Sequence, residues 1–205
     1  MCLCRLERKM KRYPCSCIAA ILVTALPAVL SAAPEVYEID PVHSGVAFKV
    51  RHFFTEVPGR FNDFSGTISV DPENLEQLST EVTINAASID TDNEKRDGHL
   101  RSEDFFEVEK YPEIVFKSER VELTGEKEAK VRGSLTIHGV TKEVELDAKL
   151  LGKGKGMEGE TKTGWKATTK INRKDFGLDW GKVIEGTAVV ADEVDIELNI
   201  EANLK

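Results

Sequence analysis

The sequence predicts an all-β domain, an antiparallel sandwich or barrel of about eight strands with one or two short helices. Three observations carry this prediction. Apolar and polar residues alternate after residue 34, signals for turns separate the alternating segments, and no regular succession of strand and helix patterns occurs. Such alternation is typical of antiparallel strands with one face in the core and the other in water.

The N-terminal segment, residues 1–33, reads as a secretory signal peptide. A basic stretch precedes an apolar run at 18–30, which ends in small residues. Translation could begin at Met10, which would give a leader of more ordinary length. Because this run is shorter than the roughly 20 residues that span a bilayer, we expect no transmembrane segment in the mature protein.

The remaining residues, 34–205, have the size of one domain. All four cysteines lie in the predicted leader, so the domain can contain neither a disulfide nor a thiolate metal site. With 23 basic and 35 acidic residues, its formal net charge is −12. A phosphate backbone would repel this charge, and nucleic acid is therefore not expected as a partner.

The strands follow in order from the alternation. The last is the clearest, since Val194, Ile196, Leu198 and Ile200 share one face and charged or polar residues the other. The other predicted strands lie near 46–50, 60–71, 82–84, 113–123, 131–137, 142–151 and 162–171. Turn signals include Val57-Pro58-Gly59 and His138-Gly139.

Two segments have helical features. Residues 72–78 could form one or two turns after Pro72. Residues 92–102 begin with Asp92 and Asn93 as possible caps, followed by Glu94 early in the first turn.

Two groups of residues invite a catalytic or metal-binding interpretation. Asp40, His43 and Ser44 contain the residue types of a hydrolase triad, but triad members usually converge from separate segments. The four imidazoles, at positions 43, 52, 99 and 138, lack the spacing of a metal-binding motif. The sequence therefore favours structural roles, with no catalytic residue and no metal site.

Two charged segments could lie at the mouth of a barrel. Residues 49–60, KVRHFFTEVPGR, combine several cations with Phe53 and Phe54 against a single Glu56. They could meet a ligand's head group, or they could form a solvated strand face. Residues 95–106, KRDGHLRSEDFF, should form a structural plug at one barrel end, with charges that pair locally and Leu100, Phe105 and Phe106 on the core side.

A barrel of about eight strands can be filled with side chains or can enclose one small ligand. The inward set combines branched aliphatic residues and phenylalanines with small residues at Ala86, Ser88 and Gly133. Small inward residues are compatible with a cavity and with a tapered, packed core.

Taken in order, the segments resemble the YceI-like family of polyisoprenoid-binding proteins. The resemblance runs from residue 36 to about residue 200, and the ordered set of motifs is more specific than any one of them. The matching motifs are YEIDPVHS at 37–44, VxFxVxH at 46–52, GRF at 59–61 with FxG at 64–66, ASIDT at 87–91, RDGHLRS at 96–102 with FF at 105–106, YPEIxFxS at 111–118, GxLTIHGVT at 133–141 and INRxDFGL at 171–178.

The resemblance implies an extended lipocalin-like antiparallel β-barrel in the periplasm, with an apolar tunnel for a long isoprenoid and no established catalytic residues. The expected ligand is a polyisoprenoid or a quinone, and no cofactor is expected. A homodimer, formed through exposed edge strands or a swapped terminal strand, is an alternative to a monomer. A metal-dependent or histidine-based periplasmic enzyme or stress protein is the alternative function.

Candidates for the tunnel lining or its mouth are Val46, Phe48, Val50, His52, Phe53, Phe64, Ile84, Phe105, Phe116, Leu135 and Trp165.

The net charge suggests a hypothesis about the ligand's head group. In a domain of charge −12, a diphosphate should be less favourable than a neutral quinone or amide, unless the 49–60 segment shields it.

Overall fold

The computed structural model describes residues 33–71, 73–181, 183–184 and 187–205. The predicted signal peptide, except for Ala33, lies outside them. The described residues form thirteen β-strands and one α-helix: β1 Glu35–Ile39, β2 Gly45–His52, β3 Thr55–Phe61, β4 Phe64–Asp71, β5 Asn74–Asn85, β6 Ile89–Asp90, α1 Glu94–Arg101, β7 Glu113–Leu123, β8 Glu128–Ile137, β9 Val140–Lys155, β10 Thr161–Asn172, β11 Val183–Ile184, β12 Thr187–Ala188 and β13 Val190–Leu204.

Eight of these strands close into an antiparallel barrel in the order β1-β4-β5-β7-β8-β9-β10-β13, and β13 pairs back with β1. The seam is short, with Ile39 opposite Ala202. Beyond it, β13 continues and pairs with β2, so that Val46 lies opposite Leu198. Strands β3 and β6 add to β2 and extend the sheet past the barrel at this end. The predicted extended lipocalin-like barrel is confirmed.

The predicted helix at 92–102 is confirmed as α1. The Asn93 side chain accepts a hydrogen bond from the Arg96 amide and caps the helix, as its sequence position indicated. No helix among the residues with assigned structure is long and apolar enough to cross a membrane.

Two local predictions are wrong. Residues 74–78 belong to β5 and not to a helix, because Asn74 pairs with Asp71 in the hairpin to β4; Pro72 lies outside the described residues. Residues 57–59 lie within β3 and not in a turn. Gly59 is opposite Phe48, and a Cβ at position 59 would overlap the Phe48 ring. The glycine therefore serves close packing.

The hairpin between β8 and β9 confirms the predicted His138-Gly139 turn. Both residues have positive φ, 51° and 74° respectively, as a two-residue type I′ turn requires. Glycine adopts this conformation without the strain that a Cβ would cause.

Candidate functional site

The barrel interior encloses a cavity of about 610 Å³. Sites for small molecules typically occupy about 300–1,000 Å³. The middle of its wall consists mainly of aliphatic and aromatic side chains because alternate residues of each barrel strand point inward. On β13 these are the four apolar residues of the predicted inward face: Val194, Ile196, Leu198 and Ile200.

Small residues contribute to the space at a position that the sequence did not reveal. Ala148 on β9 and Ala167 on β10 are paired across the two strands, and both line the cavity. The small residues noted in the sequence lie elsewhere: Ala86, Ser88 and Gly133 are not on the wall. Alanine in a strand gives no signal of its own, and only the register shows that the two alanines are neighbours.

One end of the cavity is sealed by buried side chains. Ile39, Ile68, Trp165 and Ile200 belong to the wall. On each of these four strands, the inward side chain two residues closer to this end is almost fully buried and lies off the wall. These side chains are Tyr37, Val70, Thr163 and Ala202. The Trp165 indole N–H donates to Thr163 Oγ1 at 3.0 Å, which gives the buried N–H an acceptor at the cavity floor.

The opposite end is polar and reaches solvent. Exposed residues on the wall here are His52, at the end of β2, and Asn93, Lys95 and Arg96, at the beginning of α1. Trp180 completes this end through ring contacts with His99 and Phe105, at centroid distances of 5.1 and 5.2 Å. The cavity thus has an apolar closed end and a polar end, as an amphiphilic ligand requires.

Helix α1 is fixed over the polar end by hydrogen bonds to the segment before it. Asp97, only 5% exposed, accepts hydrogen bonds from the amide and hydroxyl of Thr91. Arg101 donates to the carbonyls of Ala87 and Ile89 at 2.8 and 2.7 Å. Asp97 and Arg101 of the KRDGHLRSEDFF segment therefore hold a cover in place, in agreement with the predicted plug.

The structure brings nine of the eleven predicted lining residues together on the cavity wall. They are Val46, Phe48, Val50, His52, Ile84, Phe105, Phe116, Leu135 and Trp165. Phe64 is buried at the start of β4 but does not line the cavity, and Phe53 lies in the turn between β2 and β3. Contact of any of these side chains with a ligand stays a prediction.

Neighbouring carboxylates balance part of the positive excess of the 49–60 segment. Arg60 Nη2 lies 2.6 Å from Asp90 Oδ2 and 2.9 Å from Asp92 Oδ1, and these contacts raise the pKa of the guanidinium. Lys49 lies opposite Asp195. Within the segment, only Val50, His52 and Val57 line the cavity, whereas Phe54 is 90% exposed. The segment is mainly a solvated face.

Asp40, His43 and Ser44 lie close together without forming a triad. His43 Nδ1 is 2.8 Å from Asp40 Oδ2. The Ser44 hydroxyl, however, donates to the Glu201 carbonyl and accepts from the Glu201 amide, so it belongs to the barrel seam. Asp40, His43 and Glu201 could geometrically hold a cation, but Lys162 Nζ already lies 2.7 Å from Glu201 Oε1 and 3.7 Å from Asp40 Oδ2. A lysine thus supplies the positive charge of this cluster.

The four histidines have different surroundings. His52 and His99 line the cavity, and His99 Nε2 lies 2.9 Å from Asp104 Oδ2. His138 Nε2 faces Glu107 Oε2 at 3.4 Å, and His43 belongs to the cluster beside the seam. Among the described residues, no metal-ligating group of three contains two histidines.

Comparisons with known proteins agree with this fold. Residues 37–202 match the family model of the YceI-like domain. A UPF0312 protein of Vibrio cholerae is 35% identical over 180 residues, which are 87% of this chain and 92% of the relative. A UPF0312 protein of Photorhabdus laumondii is 42% identical over 160 residues, 78% of this chain and 82% of the relative.

Solved structures share the barrel. BcnA of Burkholderia cenocepacia matches 80% of this chain and 98% of its own, with a TM-score of 0.72 and 25% identity. The YceI protein of Campylobacter jejuni matches 74% of this chain and 87% of its own, with a TM-score of 0.67 and 36% identity. A polyisoprenoid binding domain from Saccharophagus degradans has the same fold at 18% identity, with a TM-score of 0.62, and covers 82% of this chain and 98% of its own. With its barrel, its cavity and a family match over nearly the whole domain, this chain belongs to the YceI-like domain family.

Proposed function

We propose that this protein is a non-enzymatic periplasmic carrier that holds a long-chain isoprenoid, or a related amphiphilic lipid, in its barrel. The observation that carries the proposal is the 610 Å³ cavity, which is sealed by apolar packing at one end and bounded by polar residues at the other. The polyisoprenoid binding domain of Saccharophagus degradans, which has the same fold, supports the ligand class. The periplasmic location rests on the predicted signal peptide.

The physical basis of binding is the removal of apolar ligand surface from water. Such burial contributes about 25 cal/mol per Å², or about 0.8 kcal/mol per buried methylene. The wall supplies few directed contacts in its middle, so affinity should grow with the length of the buried chain and discriminate weakly between similar chains. Selectivity then depends on the length of the cavity and on its polar end.

The surroundings of the reactive residue types support a binding role. The Ser44 hydroxyl is used by the backbone at the seam, and His43 pairs with Asp40 away from the cavity wall. In the part of the chain that the structure describes, no specific contact favours the alternative of a histidine-based or metal-dependent enzyme.

Native mass spectrometry of the mature protein purified from its own periplasm, followed by organic extraction, tests the proposal. We expect one long-chain lipid per protein and no stoichiometric metal. A folded protein that is empty and takes up no added prenyl lipid would refute a carrier. Bound metal near one equivalent, with an activity lost on chelation, would favour the enzyme.

A pair of variants on β10 links any bound lipid to the cavity. Ala167→Phe should fill the cavity and reduce lipid occupancy at least tenfold, because Ala167 lies on the wall. Thr168→Phe adds the same ring at the next position, which is off the wall, and should leave occupancy unchanged. Circular dichroism verifies that both variants fold, since overpacking costs about 1–3 kcal/mol. Equal occupancy in the two variants would place the lipid outside the barrel.

A further inference from the structure

The charges of helix α1 are divided between its two sides. Lys95, Arg96 and His99 line the cavity. The acidic residues Glu94 and Asp97 line a separate groove. A helix of eight residues thus presents its lysine and one arginine to the cavity and its carboxylates elsewhere.

The described part of the cavity wall contains no aspartate or glutamate, although the chain has 36 acidic residues. Neither Lys95 nor Arg96 forms an ion pair with a described carboxylate, in contrast to Arg60, which lies against Asp90 and Asp92. Two other acidic groups near this end have partners of their own, since Asp104 pairs with His99 and Asp97 accepts hydrogen bonds from Thr91. The two cations at the cavity end therefore have charge available for a ligand.

Arg96 is also held in a defined position. Its Nε donates to Thr91 Oγ1 and its Nη2 to the Thr91 carbonyl, both at 2.7 Å. Thr91 itself is anchored by buried Asp97. A guanidinium that is already ordered by these contacts loses less conformational entropy when a ligand binds.

We infer that the polar end of the cavity recognises an anionic head group, a phosphate or a carboxylate, through Lys95 and Arg96. This inference rests on the proposed lipid-binding function and defines its ligand class further. It reverses the hypothesis drawn from net charge. Ions screen exposed charges beyond about 8 Å at physiological ionic strength, so the groups lining the cavity end matter more to a head group than the domain's total of −12.

The test compares two ligands with the same C20 tail, geranylgeranyl monophosphate and geranylgeraniol, by competition with a fluorescent lipid. Wild-type protein should bind the phosphate at least fivefold more tightly, and the preference should shrink as salt is raised. Lys95→Gln should reduce phosphate affinity about fivefold, the equivalent of roughly 1 kcal/mol. The same variant should leave alcohol affinity unchanged, and Lys95→Arg should retain the preference.

Lys142→Gln is the matched control because it removes one exposed positive charge outside the cavity wall. It should leave both affinities unchanged. Equal binding of phosphate and alcohol by wild type, or equal effects of Lys95→Gln and Lys142→Gln, would overturn the inference while leaving the carrier intact. Failure of both lipids to bind would instead refute the carrier. Inorganic phosphate at the same concentration should not compete; competition would indicate a free-anion site and would also overturn the assignment to a lipid head group.

Discussion

Asp40 shows how a single residue can support the barrel seam. Its carboxylate accepts a hydrogen bond from the Val42 amide at 2.9 Å and pairs with His43 Nδ1 at 2.8 Å. The hydrogen bond with His43 is the main reason that the pKa of Asp40 is lowered to about 2 from its ordinary value of 3.8. The turn that Asp40 stabilises joins β1, which closes the barrel, to β2, which lies beside the cavity.

This lowered pKa predicts a pH dependence of stability. Because the pKa of Asp40 is lower in the folded than in the unfolded protein, the ionised carboxylate stabilises the fold above about pH 4, and this contribution is lost as the pH falls towards 2. Asp40→Asn should lower the free energy of unfolding by about 1 kcal/mol at pH 6 and by less at pH 2.5. Urea denaturation at both pH values measures the difference. The control Glu126→Gln, in the exposed turn between β7 and β8, should change neither value; a constant deficit of Asp40→Asn at both pH values would contradict the assignment.

At the scale of elements, the sequence correctly predicted those features that depend on residues close in the chain. Asn93 marked the start of α1 because a cap acts within one turn of its helix. The helix prediction was wrong for residues 74–78 because they pair with β4 in a hairpin. This contact between strands overrode a weak helical pattern. The turn predicted at Val57-Pro58-Gly59 was wrong for a related reason, since Gly59 accommodates the Phe48 ring from the neighbouring strand.

The stability of helix α1 in its position should depend more on Asp97 than on Glu94, the other acidic residue of its first turn. Asp97→Ala leaves the buried Thr91 amide and hydroxyl without their acceptor, which should cost about 1–3 kcal/mol. Because α1 covers the polar end of the cavity, amide hydrogen exchange over residues 91–101 should accelerate, and bound lipid should dissociate faster.

Glu94→Ala is the control on the same helix. Glu94 is exposed, and its loss should cost about 0.5 kcal/mol through the helix dipole alone. Equal effects of the two substitutions on exchange and on lipid dissociation would show that Asp97 does not fix the cover.

For the whole molecule, alternation predicted which residues point inward but not how far the cavity extends. Phe48 and Phe64 both fit the inward pattern, yet Phe48 lines the cavity and Phe64 does not. Depth depends on which strands face one another across the barrel, and this is a property of register and closure that one strand's sequence does not contain. The Ala148 and Ala167 pair, the floor around Thr163 and the division of charge on α1 became visible only with the closed barrel.

The two ends of the cavity together define the length of chain that it can hold. One end carries Lys95 and Arg96, which fix the head group in our inference. The other end of the cavity is formed by Trp165, whose indole is hydrogen bonded to buried Thr163. A chain anchored at the first end and stopped at the second has a limited length, so the proposed carrier should select ligands by chain length.

Replacing Trp165 should shift this selection. Trp165→Leu opens space at the floor, so longer chains can bury additional carbons. Two further methylene-sized groups contribute about 1.6 kcal/mol, which changes the ratio of long to short bound chains more than tenfold. Native mass spectrometry of protein loaded with an equimolar series of prenyl lipids measures this ratio.

Trp180→Leu, at the polar end, is the matched control and should leave the ratio unchanged because that end reaches solvent. The same length distribution in wild type and Trp165→Leu, with both proteins folded and loaded, would show that the floor does not limit the chain; a shift caused by Trp180→Leu alone would place the limiting end at the mouth.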